Sequence, residues 1–282
     1  MDKIEQIING SVDMHVHPGP DARVQRRCDG LEIAQQAIGM GMRAVVSKNH
    51  EYGTAPMVNI INKVVGYPIL IGSICLNVEE GGINPWAVEA SVNMGAKIVW
   101  MPTFSSPNHL KVRGINDPGI TLFDENGNLL PVVDDILDII RSKNIILATG
   151  HISIPEVFAL VDRANSKGVE KIVITHPLWP KLENITIPQQ LELNKKGAII
   201  EHCFSHTLPL MGGLDAMKIT EAVKALGAEN CILSTDLGQL FNPAPAEGMR
   251  MMIASMLQYD LSEEELVMMV KTNPVRLLDL DQ

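Results

Sequence analysis

Short apolar, β-branched runs recur along the chain at intervals of roughly 25 to 45 residues, and between them apolar positions repeat at helical spacing. The runs predict strands over residues 11–17, 43–47, 69–76, 97–101, 145–149, 171–175, 198–202 and 231–235. The intervening periodicity predicts helices over 31–40, 56–65, 155–166, 188–196, 215–226, 246–258 and 262–270, and one opening near Pro85. Several are punctuated as helices should be, with proline in the first turn and Gly41, Gly168, Gly197 or Gly227 just past the end. Strand and helix in strict alternation imply a parallel sheet, and eight such units imply a (β/α)8 barrel of class α/β. No linker of biased composition and no repeat divides the chain, so one domain over residues 1–282 is expected. The longest interruption follows the fourth strand. There, residues 120–130 alternate around Asp124-Glu125-Asn126-Gly127, which predicts a hairpin insertion serving either as a lid over the barrel mouth or as a plain surface excursion.

Composition narrows the picture. Hydrophobic residues make up 46% of the 282 and aromatics only 4%, so the core must be aliphatic. A net charge of −10 excludes sequence-independent nucleic-acid binding, which needs a basic footprint. Cys28, Cys75, Cys203 and Cys231 form no C-x-x-C pair and read as reduced, buried thiols. Residues 1–10 carry Asp2 and Glu5 and no leader-like apolar run, and nothing approaches the ~18 to 20 apolar residues of a membrane span. The expectation is a cytoplasmic enzyme for a small molecule, free of membrane and nucleic acid, and open to homo-oligomerisation. Met249, Met251, Met252 and Met256, at helical spacing, read as packing or subunit-interface residues rather than a metal site.

The chemistry lies in the histidines. All eight fall at the end of a predicted strand or in the loop just after it, and none in a predicted helix. In a parallel barrel the strand C-termini open on one face, where the active sites of such enzymes sit. His15-Val16-His17 closes the first strand, and residues two apart share a side, so both imidazoles can reach one ion. His151 follows the fifth strand, His176 the sixth, and Asp236 the eighth. Each alone is better read as a structural residue. Together, three neutral imidazoles and a carboxylate suit Zn²⁺, with Mn²⁺, Fe²⁺ or Ni²⁺ as alternatives.

This order of residues resembles the amidohydrolase superfamily of metal-dependent hydrolases, over nearly the whole barrel. The likeness extends to Thr272-Asn273-Pro274-Val275-Arg276-Leu277-Leu278, similar to an N-P-A-R-L-L-like segment near the C-terminus of many members. Around Arg26-Arg27 and Lys48-Asn49-His50 the chain looks like an uncharacterised amidohydrolase-like group with no activity to carry over. The resemblance implies a first metal on His15, His17 and Asp236, with His151 a further ligand in a one-metal site. In two-metal members His151 and His176 would hold the second ion. It also implies catalytic roles for Asp236 and His176, with Asp236 taking the proton of a metal-activated water as it attacks an amide, lactone or ester.

The chain departs from the family at strand four, where two-metal members carry a bridging lysine or glutamate. Here the strand ends Val99-Trp100-Met101, with Lys97 at the wrong end. One ion is therefore favoured over two, unless Lys48, Glu79 or Glu201 supplies a bridge. Lys48, His50, Arg26, Arg27 and His202 are the candidate substrate contacts, the cations suited to an anionic group. Arg23 lies in the same loop as Arg26. Glu201 and His202 point to opposite sides, so only one can face the interior. His109 and His206 are expected in structural or surface roles, and Cys203 as a buried filler rather than a nucleophile. Two other enzymatic readings compete. A phosphoesterase of the polymerase-and-histidinol-phosphatase type fits His50 and Glu79 loosely but lacks a histidine at 236–238, and a mononuclear decarboxylase would share the ligand set. A non-enzymatic metal-binding protein ranks last.

Overall fold

The computed structural model describes residues 2–182 and 184–280. Its strands are β1 Val12–Val16, β2 Ala44–Ser47, β3 Leu70–Cys75, β4 Ala96–Trp100, β5 Ile146–Ala148, β6 Ile172–Ile174, β7 Ile199–Cys203 and β8 Cys231–Ser234. They lie in sequence order, each parallel to the next, and every boundary falls within one residue of the expected one. The barrel closes at its upper end. Val16 bridges Leu237 in parallel, His17 N–H donates to the Leu237 carbonyl at 2.8 Å, and Asp236 N–H donates to that of His15 at 2.8 Å. The buried Asp13 carboxylate adds a second clasp, accepting from Thr235 N–H at 3.0 Å and Thr235 Oγ1 at 2.6 Å. No helix among the described residues is long and apolar enough to cross a membrane.

Two apolar layers follow from the strand alternation. Val12, Met14, Val46, Ile98, Trp100 and Ile232 fill the barrel interior, and a larger aliphatic layer lies between strands and helices. The C-terminal segment that resembles N-P-A-R-L-L has a plain structural task. It forms the helix Asn273–Leu278, entered through a wider π-helical turn over Met268–Thr272, and Leu277 and Leu278 join the interior cluster. Asn273 Nδ2 holds the helix there by donating to the carbonyls of Ala228 and Cys231 at 2.9 and 2.7 Å. It plugs the end of the barrel opposite the histidines.

The long interruption after β4 differs from expectation. It contains the helices Pro107–Val112 and Pro131–Ser142, neither predicted, although Val133, Ile136, Leu137 and Ile140 bury a regular helical stripe. The hairpin is reduced to one antiparallel bridge, Phe123 to Leu129. It is not a lid. Leu122 N–H and Thr121 Oγ1 donate to Glu156 Oε1 at 2.7 and 2.6 Å, which fixes the loop against the start of the helix Ile154–Ser166. The part of the insertion that reaches the mouth is the helix Pro107–Val112. A further unpredicted helix, Lys3–Ile8, precedes β1.

Candidate metal centre

Local backbone irregularities aim the side chains of the site. Along β1, Val12 and Met14 face the interior, so simple alternation would send His15 away from it. A register shift between Asp13 and Val16 reverses the parity, and His15 and His17 both turn to the mouth above Met14. At the ends of β6 and β8, His176 and Asp236 sit at φ 30° and 51°, uncommon for residues with a Cβ and typical of strained functional positions. Gly238 completes the arrangement. A Cβ there would lie 2.0 Å from the His17 carbonyl oxygen, so only glycine lets the loop after β8 close onto β1.

The imidazoles converge on Asp236. Its Oδ1 lies 3.0 Å from His17 Nε2 and 3.3 Å from His15 Nε2. Its Oδ2 accepts from Ser205 Oγ at 2.9 Å and lies 3.2 Å from His206 Nε2, though out of line for a hydrogen bond. Across the cavity His151 Nε2 meets His176 Nε2 at 3.1 Å, and His151 Nδ1 meets His109 Nδ1 at 3.1 Å. Behind His15, Glu201 takes the Nδ1 side at 3.2 Å, and Lys48 Nζ approaches Nε2 at 3.0 Å while lying 4.1 Å above the Trp100 ring.

Burial sets the charge states. It pushes His50, His151 and His176 well below the ordinary imidazole range, and with the Arg26 charge it takes His17 down to about 3. Burial and Arg113 lower His109 to about 4. Burial opposes the Asp236 carboxylate too, but His15, His17 and His206 around it hold it well below the usual carboxylate range. Imidazoles that burial keeps from protonation, as at His17, His151 and His176, beside an ionised carboxylate are a donor set ready for a divalent cation. The geometry fits as well. The ligand atoms of His15, His17 and Asp236 lie within 4.8 Å of one another, and bonds of about 2.0–2.1 Å in a tetrahedral zinc site imply donor spacings of about 3.3 Å. His176, His206 and Asp236 form a second such group.

The structure brings His15, His17, His151, His176 and Asp236 to one buried cluster. His151 is nonetheless placed with His176 and His109, not with the His15–His17–Asp236 group. Lys48, His50 and Arg26 line the cavity above it. Two expected substrate contacts do not. Arg27 points at the loop after β8, donating to the Leu240 and Asn242 carbonyls at 3.4 and 3.1 Å. His202 has the opposite parity to Glu201 on β7 and is buried outside the cavity lining, with both ring nitrogens unpartnered and burial lowering it to about 3. Of the bridging candidates, Glu201 lies on the Nδ1 side of His15 and Glu79 pairs with Arg23 at the rim, whereas Lys48 Nζ stands 3.0 Å from His15 Nε2, among the donors.

Two histidines expected in structural or surface roles, His109 and His206, lie within the cluster, against His151 and Asp236. His109 is carried on the helix Pro107–Val112 and His206 on a 3₁₀ turn, Phe204–Thr207, so the reading that no histidine lies in a helix is corrected. The local signal for His109 was legible: Ser106 caps that helix and Pro107 opens it. Burial pushes the Cys203 thiol well above its ordinary range, in keeping with a filler. Above the donors lies a cavity of about 520 Å³, walled in part by Phe104 and Trp179.

A family model described as a family of unknown function (DUF6282) matches residues 10–201. No curated protein matches the chain. Among solved structures, an amidohydrolase from Pseudomonas aeruginosa is similar at 12% identity and TM-score 0.65, covering 98% of both chains. A probable 2-pyrone-4,6-dicarboxylic acid hydrolase from Acinetobacter baumannii, with citric acid bound, is similar at 16% and 0.61, covering 96% of this chain and 99% of that one. A 2,6-dihydroxybenzoate decarboxylase from Rhizobium is similar at 12% and 0.55, covering 97% and 100%. At these identities the likeness establishes the fold.

Proposed function

The chain belongs to this family of unknown function, and we propose that it is a metal-dependent hydrolase acting on an amide, lactone or ester bond of a small anionic substrate. One observation carries the reading: an ionised Asp236 lies within 3.0 and 3.3 Å of the His17 and His15 nitrogens at the floor of an open cavity. His15, His17 and Asp236 would hold the ion, with His151 and His176 opposite them. A divalent metal, zinc ahead of manganese, iron or nickel, supplies Lewis-acid polarisation of a carbonyl and a water acidified toward neutrality.

The chain's own groups do the rest. Glu201 accepts the His15 Nδ1 proton, which fixes the ring and turns the Nε2 lone pair to the side where the ion would sit, the side Lys48 Nζ approaches at 3.0 Å. Asp236 is the proton acceptor, because it stays ionised beside the attacking water. His176, kept neutral by burial and facing His151 Nε2 at 3.1 Å, would serve as a hydrogen-bond donor to the substrate, and the proton taken up by Asp236 would pass to the leaving group. Lys48 and Arg26 draw an anionic substrate inward, although Arg26 is also gripped by Asp21 through Nε at 2.8 Å.

Metal content per chain tests the reading, measured by elemental analysis on the parent and on the His15→Gln/His17→Gln variant. Near one zinc, manganese, iron or nickel in the parent, lost in the variant, is expected. No metal in either after reconstitution would sink the reading, and equal metal in both would remove His15 and His17 from it. A second reading, metal-dependent decarboxylation, draws support from the decarboxylase that shares this fold. Release of CO₂ rather than uptake of water would establish it. The phosphoesterase reading loses ground, because Glu79 pairs with Arg23 at the rim rather than reaching the donors.

A further inference from the structure

We propose that the outer half of the cavity is a binding site for organic carboxylates with an extended apolar body, acyl or aryl, so that the substrate is amphipathic rather than a compact polar anion. The inference deepens the hydrolase reading and rests on it only for which end of the ligand is cut. Its first support is the rim. Val112, Leu210 and Phe241 line the cavity from the loops after β4, β7 and β8, yet are 44%, 48% and 84% exposed. Single exposed apolar side chains are ordinary, but three converging on the mouth of one cavity leave a ligand-sized apolar surface uncovered.

The apolar surface continues inward to the donors. Phe104 stacks on His50 with ring centres 3.7 Å apart, and Trp179 lies parallel to His206 at 5.2 Å. The ring faces of Phe104 and Trp179 thus carry the apolar surface from the rim toward the floor, where the imidazoles and Asp236 take over. Concavity argues for a small molecule here, since flat patches suit proteins.

Charge on the same walls selects the sign of the ligand. Six charged side chains line the cavity, and only Asp236 is negative among Arg23, Arg26, Lys48, Arg113 and Lys181. Arg23 and Arg26 are already compensated by Glu79 and Asp21. Arg113 and Lys181 have no carboxylate within ion-pair distance among the described residues, and both stand beside the apolar rim. Arg113 follows Val112, and Lys181 Nζ donates to the Leu210 carbonyl at 2.9 Å. This excess of cations occurs in a chain of net charge −10, so it is a property of the cavity and not of the surface at large.

The test is calorimetric titration of hexanoate, octanoate, decanoate and octylamine into the full chain as purified with its metal. Each added methylene should tighten the carboxylate by about fourfold, the increment for burying one CH₂. Octylamine should bind at least tenfold more weakly than octanoate. Phe241→Ser should lower decanoate affinity by about tenfold and flatten the chain-length slope, while Arg113→Gln should weaken all three carboxylates and keep the slope. Both side chains are exposed, so the variants fold. Affinity independent of chain length, equal binding of amine and carboxylate, or no binding of decanoate would overturn the proposal. The same slope in the His15→Gln/His17→Gln variant would keep this site standing even where the metal reading fails.

Discussion

The two ends of the barrel are built on opposite terms. At the end closed by Leu277 and Leu278 the interior is apolar, and the buried Asn273 spends its amide N–H groups on two carbonyls. At the other end seven imidazoles, the Asp236 and Glu201 carboxylates and Lys48 crowd one another, two of the positions at positive φ. Burial stabilises the first end and works against the second, because holding His17, His50, His109, His151 and His176 below their ordinary range and straining two strand ends costs folding free energy. The barrel therefore separates what holds the fold from what can bind a ligand, and changes at one end should leave the other intact.

That separation can be tested from its largest consequence downward. Asp236→Asn should lower turnover by about 10² to 10⁴, the usual worth of a positioned proton acceptor, with an unchanged circular dichroism spectrum. Loss of the spectrum instead would mean that the mouth also holds the fold. Chelation should remove about 4 kcal/mol of stability from the parent when free metal stands a thousandfold above its Kd, and nothing from the His15→Gln/His17→Gln variant. Thermal melts with and without chelator read this directly. At the opposite end, Leu278→Ala should cost about 2 to 5 kcal/mol in denaturant melts while metal per folded chain stays constant. A drop in metal content would couple the two ends.

His109 gives a finer cut, because it is the only partner of His151 Nδ1 among the described residues. His109→Phe should weaken metal affinity about 10- to 100-fold in chelator competition, and His109→Gln, which keeps an acceptor, should recover most of it. Equal affinity in all three proteins would show that His151 does not ligate. Smallest of all, Lys171→Ala removes a single, largely buried ion pair with Asp279 near the plugged end and should cost about 1 kcal/mol.

Legibility differed between the two ends for a physical reason. The strands and most helices were readable because apolar periodicity is a local quantity, carried by residues two to four apart. The helix Pro131–Ser142 carries that signal as clearly, next to the hairpin pattern of 120–130. His15, His17, His151, His176 and Asp236 could be placed at one mouth because parallel strands bring their C-termini together whatever the detail of packing. His202 was misread because the alternate side, and not the strand end, decides what faces the mouth.

By itself, then, the sequence determined the order of eight strand–helix units, the closure that follows from it, and the gathering of strand-end donors on one face. Tertiary structure alone decided which donors meet. The register shift at Asp13–Val16 exists only against β2, and Gly238 matters only because it touches His17. Arg27 is diverted by carbonyls more than 200 positions away, and His109 and His206 enter through loops whose paths are set by contacts with other units. Such contacts join residues distant in the chain, and no local period encodes them.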